Sequence, residues 1–276
     1  MTLHAASREA LGLAENALGE VIGDAGTDPA VVGEELFSVV DLLTREIGVR
    51  RAVGDGSADP QARKRLVRSL LEGKISEPAL KVLDAVVTNR WSAPRELLEG
   101  LESLGRSALL TSAEKTGNLD AVEDQLFRIA RILESEAELQ RALSDWNAPV
   151  EAKRNLVRSL FGDKVDVVTE KLAEQVIAAH RGHGIGAELD QLVELAAQRR
   201  ERSVAHVTSA SELSDGQRDQ LAEKLGRIYG RPIVLHIEVD PGLVGGLVVR
   251  VGDEVIDGST AGRIEALRRQ LAGGRV

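Results

Sequence analysis

Five histidines and no cysteine narrow the chemistry open to this chain. His180 and His183 stand three residues apart, a spacing at which two imidazoles can share a helix face. The segment RGHGIG brings no further ligand, however, and its glycines break the helix, so the pair reads as a loop between two helices rather than a metal site. His206 and His236 fall in two segments of strand character and can be neighbours in a sheet. With no carboxylate or nucleophile placed beside them they are read as structural. The 44 acidic residues are spread along polar helix faces and form no pair whose burial the sequence implies, which leaves general acid–base catalysis without candidates. Without cysteine there are no thiolate ligands, thiol nucleophiles or disulfides, a composition compatible with a reducing cytoplasm.

One glycine-rich run, GLVGGLVVRVGDEVIDG at 242–258, invites comparison with a phosphate-binding loop. It lacks the Gly-Lys-Ser/Thr ending of a P-loop. Gly242, Gly245 and Gly246 also precede a strand, where a dinucleotide loop follows one and opens a helix. Turn chemistry is the better reading: Gly245 and Gly246 for close approach and a bulge, Gly252-Asp253 for a hairpin turn with Gly252 left-handed, and Asp257-Gly258 for a turn into a last helix that Ser259 caps. The chain is therefore expected to be no enzyme and to carry no cofactor or metal.

The formal net charge of -9 argues against a nucleic-acid partner, despite the local basic run Arg63, Lys64, Arg65 and Arg68. No apolar run approaches a membrane span, and the N-terminus has no signal-peptide core, so a membrane is reached only through partners.

The elements that would have to position any site are helices up to about residue 202. Helix one, roughly 4–22, gathers Ala6, Ala10, Leu13, Ala14, Ala17 and Leu18 on one face. A face so rich in alanine suits either the core of a bundle or a groove for a partner helix. An internal repeat with a period of about ninety residues follows: Leu36-Phe37 returns as Leu126-Phe127, Glu46 as Glu136, and ARKRLVRSLLEGK at 62–74 as AKRNLVRSLFGDK at 152–164. Residues 28–117 and 118–207 read as two copies of one helical unit, each with a basic helix opening near Pro60 or Pro149 and capped at Asp59 in the first copy. From Ser203 the period changes to strand, helix (a capping box at Ser214 and Gln217), strand, hairpin, and a final helix bearing Ile264, Leu267 and Leu271. The expected fold is mainly α with a small α/β domain: a helical bundle over 1–202 extended by duplication, then a mixed-sheet domain over 203–276.

The segment from Asp240 to Leu271 closely resembles the end of the delta subunit of bacterial ATP synthase, the oligomycin-sensitivity-conferring family. SREALGLAENAL at 7–18 resembles the first helix of that family, and the stretch from Val204 its C-terminal domain. The resemblance implies a non-catalytic stator on the cytoplasmic face of the cell membrane. Its helical domain would grip the N-terminal helix of an alpha subunit, with a beta contact possible, and its C-terminal domain would hold a b or b-like stalk. Proton-driven rotation then does work on the head instead of turning it.

By that resemblance Ala6, Ala10, Leu13, Ala14, Ala17 and Leu18 form one wall of the alpha-binding groove, and Val82, Val86 and Val87, or else Leu172 and Val176, supply the second. The extra ninety residues depart from the ordinary family pattern and resemble the enlarged actinobacterial form. Mycobacterial versions carry a fused b-like membrane segment, and this chain is expected to be the free-standing kind. The alternative from another class is a helical adaptor or regulatory protein outside the synthase.

Overall fold

The computed structural model describes residues 3–145, 147–179, 184–202, 204–230, 232–252 and 254–260. His180, His183, Asp253, Ile264, Leu267 and Leu271 lie outside the described residues. The chain separates into two compact units, Met1–Asp190 and Gln191–Val276. The division falls inside a helix, ahead of the boundary at 202 expected from composition.

The first unit opens with α1 (Ala5–Gly23) and then runs through α2 (Pro29–Arg45), α3 (Ile47–Gly54), α4 (Pro60–Leu71), α5 (Glu77–Thr88) and α6 (Pro94–Thr116). Ninety positions on, the series returns as α7 (Leu119–Ser135), α8 (Ala137–Ser144), α9 (Val150–Phe161), α10 (Val167–Ala179) and α11 (Ile185–Arg202). The duplication reaches individual contacts. Arg68 bonds Asp84 at 2.6 Å, and Arg158 bonds Glu174 at 2.8 Å in the second copy. Glu35 accepts the Ser76 N–H at 2.9 Å, and Gln125 accepts that of Asp166 at 2.8 Å. Val53 and Leu143, Val67 and Val157, Leu71 and Phe161 are buried in pairs.

Local chemistry sets the helix ends. Asp59 accepts the N–H groups of Gln61 and Ala62 ahead of Pro60 at the first helical position. In the second copy Pro149 is itself the N-cap and α9 starts one residue later, because proline occupies the place of Asp59 rather than of Pro60.

At the centre lies α6, whose Leu97, Leu98, Leu101, Leu104, Leu109 and Leu110 are all buried. Charged Glu96, Glu102 and Arg106 are buried on it as well, so neighbouring helices cover most of its circumference. α2 crosses it closely because glycine stands on both helices. A Cβ on Gly33 would meet the Gly105 carbonyl oxygen at 2.9 Å, and one on Gly105 would come within 2.5 Å of the Phe37 ring.

The second unit contains β1 (Val204–Ser209), α12 (Asp215–Tyr229), β2 (Val234–Val239), β3 (Leu247–Val251) and β4 (Glu254–Asp257) in the sheet order β2-β1-β3-β4. β1 and β2 are parallel across α12, and the other pairs are antiparallel. Ala205, Val207, Val249 and Val251 bury one sheet face with Leu225 of α12. The expected capping box forms: the Ser214 hydroxyl accepts the Gln217 N–H, and the Gln217 side chain accepts the Ser214 N–H. The protein is thus mainly α with a small mixed sheet.

Candidate functional site

His206 and His236 are register partners on β1 and β2, with ring centroids 5.5 Å apart and edge-on. Both side chains face outward, beside Arg250 across the β1–β3 ladder. Two residues along on the same face, Thr208 and Glu238 are register partners. Among the described residues no three His, Asp or Glu side chains group as a metal set.

Gly252 has φ 57 in the hairpin turn, and Gly246 has φ 84 with no room for a side chain, since a Cβ would meet the Gly258 carbonyl oxygen at 2.5 Å. The Gly245 carbonyl accepts the Thr260 N–H at 2.9 Å. Asp257 accepts the Ser259 N–H at 2.9 Å, and hydrogen bonds from Ser259 hold its carboxyl below the usual range.

α1 carries the other candidates, and the structure divides them. Ala10, Ala14 and Leu18 are buried in the core of the first unit against α5 and α6; Ala6 and Ala17 are half-buried, and Leu13 is 48% exposed. The alanines allow close packing within the bundle, so a partner helix could not lie on Ala10 or Ala14 without displacing α5. Val82, Val86, Val87, Leu172 and Val176 are likewise interior. The start of α1 is tied down at three points: the Ser7 hydroxyl accepts the Ser92 N–H, Arg8 reaches the Leu3 carbonyl, and His4 bonds Glu96. The Ser7 hydroxyl first, and His4 after it, hold the Glu96 carboxyl below its ordinary value.

A cleft of ≈ 490 Å³, not anticipated from the sequence, opens where the two copies meet, between α2 and the helices α8 to α10. Ion pairs span it. Arg154 bonds Asp41 at 2.6 Å, and Lys171 approaches Glu34 at 3.2 Å. Below these, buried Arg106 donates from Nε to Gln175 Oε1 at 2.9 Å; burial lowers its pKa, while Glu102 and Glu188 act in the opposite direction. The sequence signal was present at the ninety-residue offset, where Asp84 and Ala85 of the first copy become Glu174 and Gln175.

With the geometry in place, comparison with known proteins settles the class. A family model described as ATP synthase delta (OSCP) subunit matches residues 107–271. The chain belongs to the ATP synthase delta (OSCP) subunit family. The match begins within α6, so Ser7–Leu18 lies outside it; family identity rests on the second copy and the sheet unit. Full-length relatives extend it. ATP synthase subunit delta of Nocardia farcinica is 45% identical over 98% of this chain and 100% of its own length. The Corynebacterium efficiens protein of the same name is 47% identical over 98% and 99%. A chain from a structure of the Polytomella F-ATP synthase aligns at 26% identity and TM-score 0.24, covering 26% of this chain and 91% of that one; the assignment stands on the sequences alone.

Proposed function

We propose that this family member is the non-catalytic stator subunit of a rotary proton-translocating ATP synthase, joining the alpha/beta head to the b stalk. The observation that carries the reading is identity of 45% across nearly the whole of a subunit delta from end to end. In this reading each of the two compact units takes one partner, the helical unit alpha and the sheet unit b or a b-like chain. On α1, exposed Leu13 flanked by half-buried Ala6 and Ala17 is the part of the predicted groove that a partner helix can reach. No described helix is long and apolar enough to cross a membrane, and in this reading the chain meets the cytoplasmic face of the membrane through its partners.

The test is native mass spectrometry of the purified chain with the α3β3 head and the C-terminal segment of b. One copy bound to both partners at once is expected. Binding to neither would favour the adaptor reading over the stator.

A further inference from the structure

β1 and β2 run parallel and place His206 opposite His236. Register partners on neighbouring strands send their side chains to the same face of a sheet, across a spacing of only about 4.8 Å. Both imidazoles are exposed, on the face turned away from Leu225 of α12, and their centroids are 5.5 Å apart with the ring planes at 86°. The ladder fixes where the two side chains start, whatever the rings do at their ends.

That separation suits an ion shared between two rings. A ring nitrogen lies about 1.15 Å from its centroid and a zinc–imidazole bond is about 2.05 Å long, which puts the ion about 3.2 Å from each centroid. At a tetrahedral angle the centroids are then about 5.2 Å apart, against the 5.5 Å observed. Aiming both nitrogens at one point takes rotation of the edge-on rings about χ2, a soft torsion in histidine and an open one here, since both side chains face solvent. β2 is the edge of the sheet, so no further strand flanks His236 on its outer side.

Two charged groups on the same face act in opposite directions. Arg250 is the register partner of His206 on β3 and opposes a cation from the side away from His236. Glu238, two residues along β2, lines one open depression with the two histidines and Thr208, and favours a cation. No third His, Asp or Glu groups with the pair among the described residues, so water fills the other coordination positions. Imidazole and water suit a borderline transition ion, whereas Mg²⁺ and Ca²⁺ take oxygen ligands.

We propose that His206 and His236 form a cross-strand site for one divalent transition ion of the zinc type, bound through one nitrogen of each imidazole. The bound ion ties edge strand β2 to β1, the one strand it pairs with. With two protein ligands the site exchanges its ion, unlike a structural zinc centre in which protein fills all four positions. The proposal does not depend on the stator reading.

The experiment is calorimetric titration of the untagged full-length chain with zinc chloride, followed by imidazole NMR and melting temperature, with magnesium chloride as control. The same titration of the His180→Gln, His183→Gln double variant sets that pair aside. In that variant zinc should still bind, shift the His206 and His236 signals together and raise the melting temperature, and magnesium should do none of these. His206→Gln and His236→Gln should each weaken zinc binding by about tenfold or more, and the two together should lose little more than either alone, because both remove the same ion. Circular dichroism checks that each variant is folded, and His236→Gln, on the sheet edge, carries the test if His206→Gln is not. Absence of saturable zinc binding below about 1 mM overturns the site. Binding that survives either substitution overturns it equally, as does a spectrum in which only one of the two imidazoles responds.

Discussion

Leu13 and Ala14 are neighbours on α1 with opposite surroundings, one 48% exposed and the other fully buried. Ala14→Trp should therefore overpack the core and destabilise the fold by about 3 kcal/mol, whereas Leu13→Asp should change stability by no more than about 0.5 kcal/mol. Urea unfolding of both variants checks this; equal stability would mean that α1 does not pack as described. If the alpha contact lies on this edge, Leu13→Asp is also the variant that lowers affinity for the head without unfolding. Glu96 gives α1 a pH dependence. Its carboxyl is depressed by Ser7 and then His4, so the stability it contributes is complete above the ordinary value of 4.5 and is lost as pH falls through the lower folded value. Amide exchange in the first turns of α1 should speed up below pH 4.5, after correction for intrinsic rates, and Glu96→Gln should remove that pH dependence. A pH profile unchanged in Glu96→Gln would assign the effect elsewhere. The sequence offered Ala10 and Ala14 as core or groove without deciding, since small side chains at helical spacing serve both; only the positions of α5 and α6 decide.

At the scale of elements, the repeat was legible because helix order and buried positions recur at one offset, down to Arg68 with Asp84 and Arg158 with Glu174. What recurrence does not encode is how the copies meet. Gly33 and Gly105 make the α2–α6 crossing, and neither returns as glycine ninety residues later, where the chain has Glu123 and Leu195. Phe37, packed over Gly105, has an exposed counterpart in Phe127, whose ring lies 5.2 Å under Arg131. The inter-copy cleft was illegible for the same reason: its walls come from helices of different copies, whose residues have no fixed sequence spacing. Gly33→Ala should cost about 1–3 kcal/mol, because its Cβ meets backbone rather than a movable side chain. Across the cleft, a double-mutant cycle on Asp41 and Arg154 should return a coupling of about 1 kcal/mol that shrinks in high salt, since both ends remain partly in water. Zero coupling at low salt would remove this pair from the forces that join the copies.

For the whole molecule, the question is where the helical unit ends as a folding unit. Composition placed its end at 202, where helical periodicity stops, and the compact units divide after Asp190, within α11. The two boundaries differ physically. A chain ending at 190 keeps only the first turns of α11 and cuts between Leu189 and Leu192, both buried on that helix. So short a stub does not hold a helix by itself, because nucleation is costly and each added residue returns only one hydrogen bond. A chain ending at 202 keeps the helix entire. We therefore expect the 1–202 fragment to unfold cooperatively with its helix content retained, and the 1–190 fragment to lose more ellipticity than twelve residues account for and to melt earlier. In the stator reading, 1–202 should bind the head and fail to bind b. If 1–190 is the more stable of the two, α11 beyond Asp190 belongs with the sheet unit in folding as well as in contact. The partner faces would then divide at that residue.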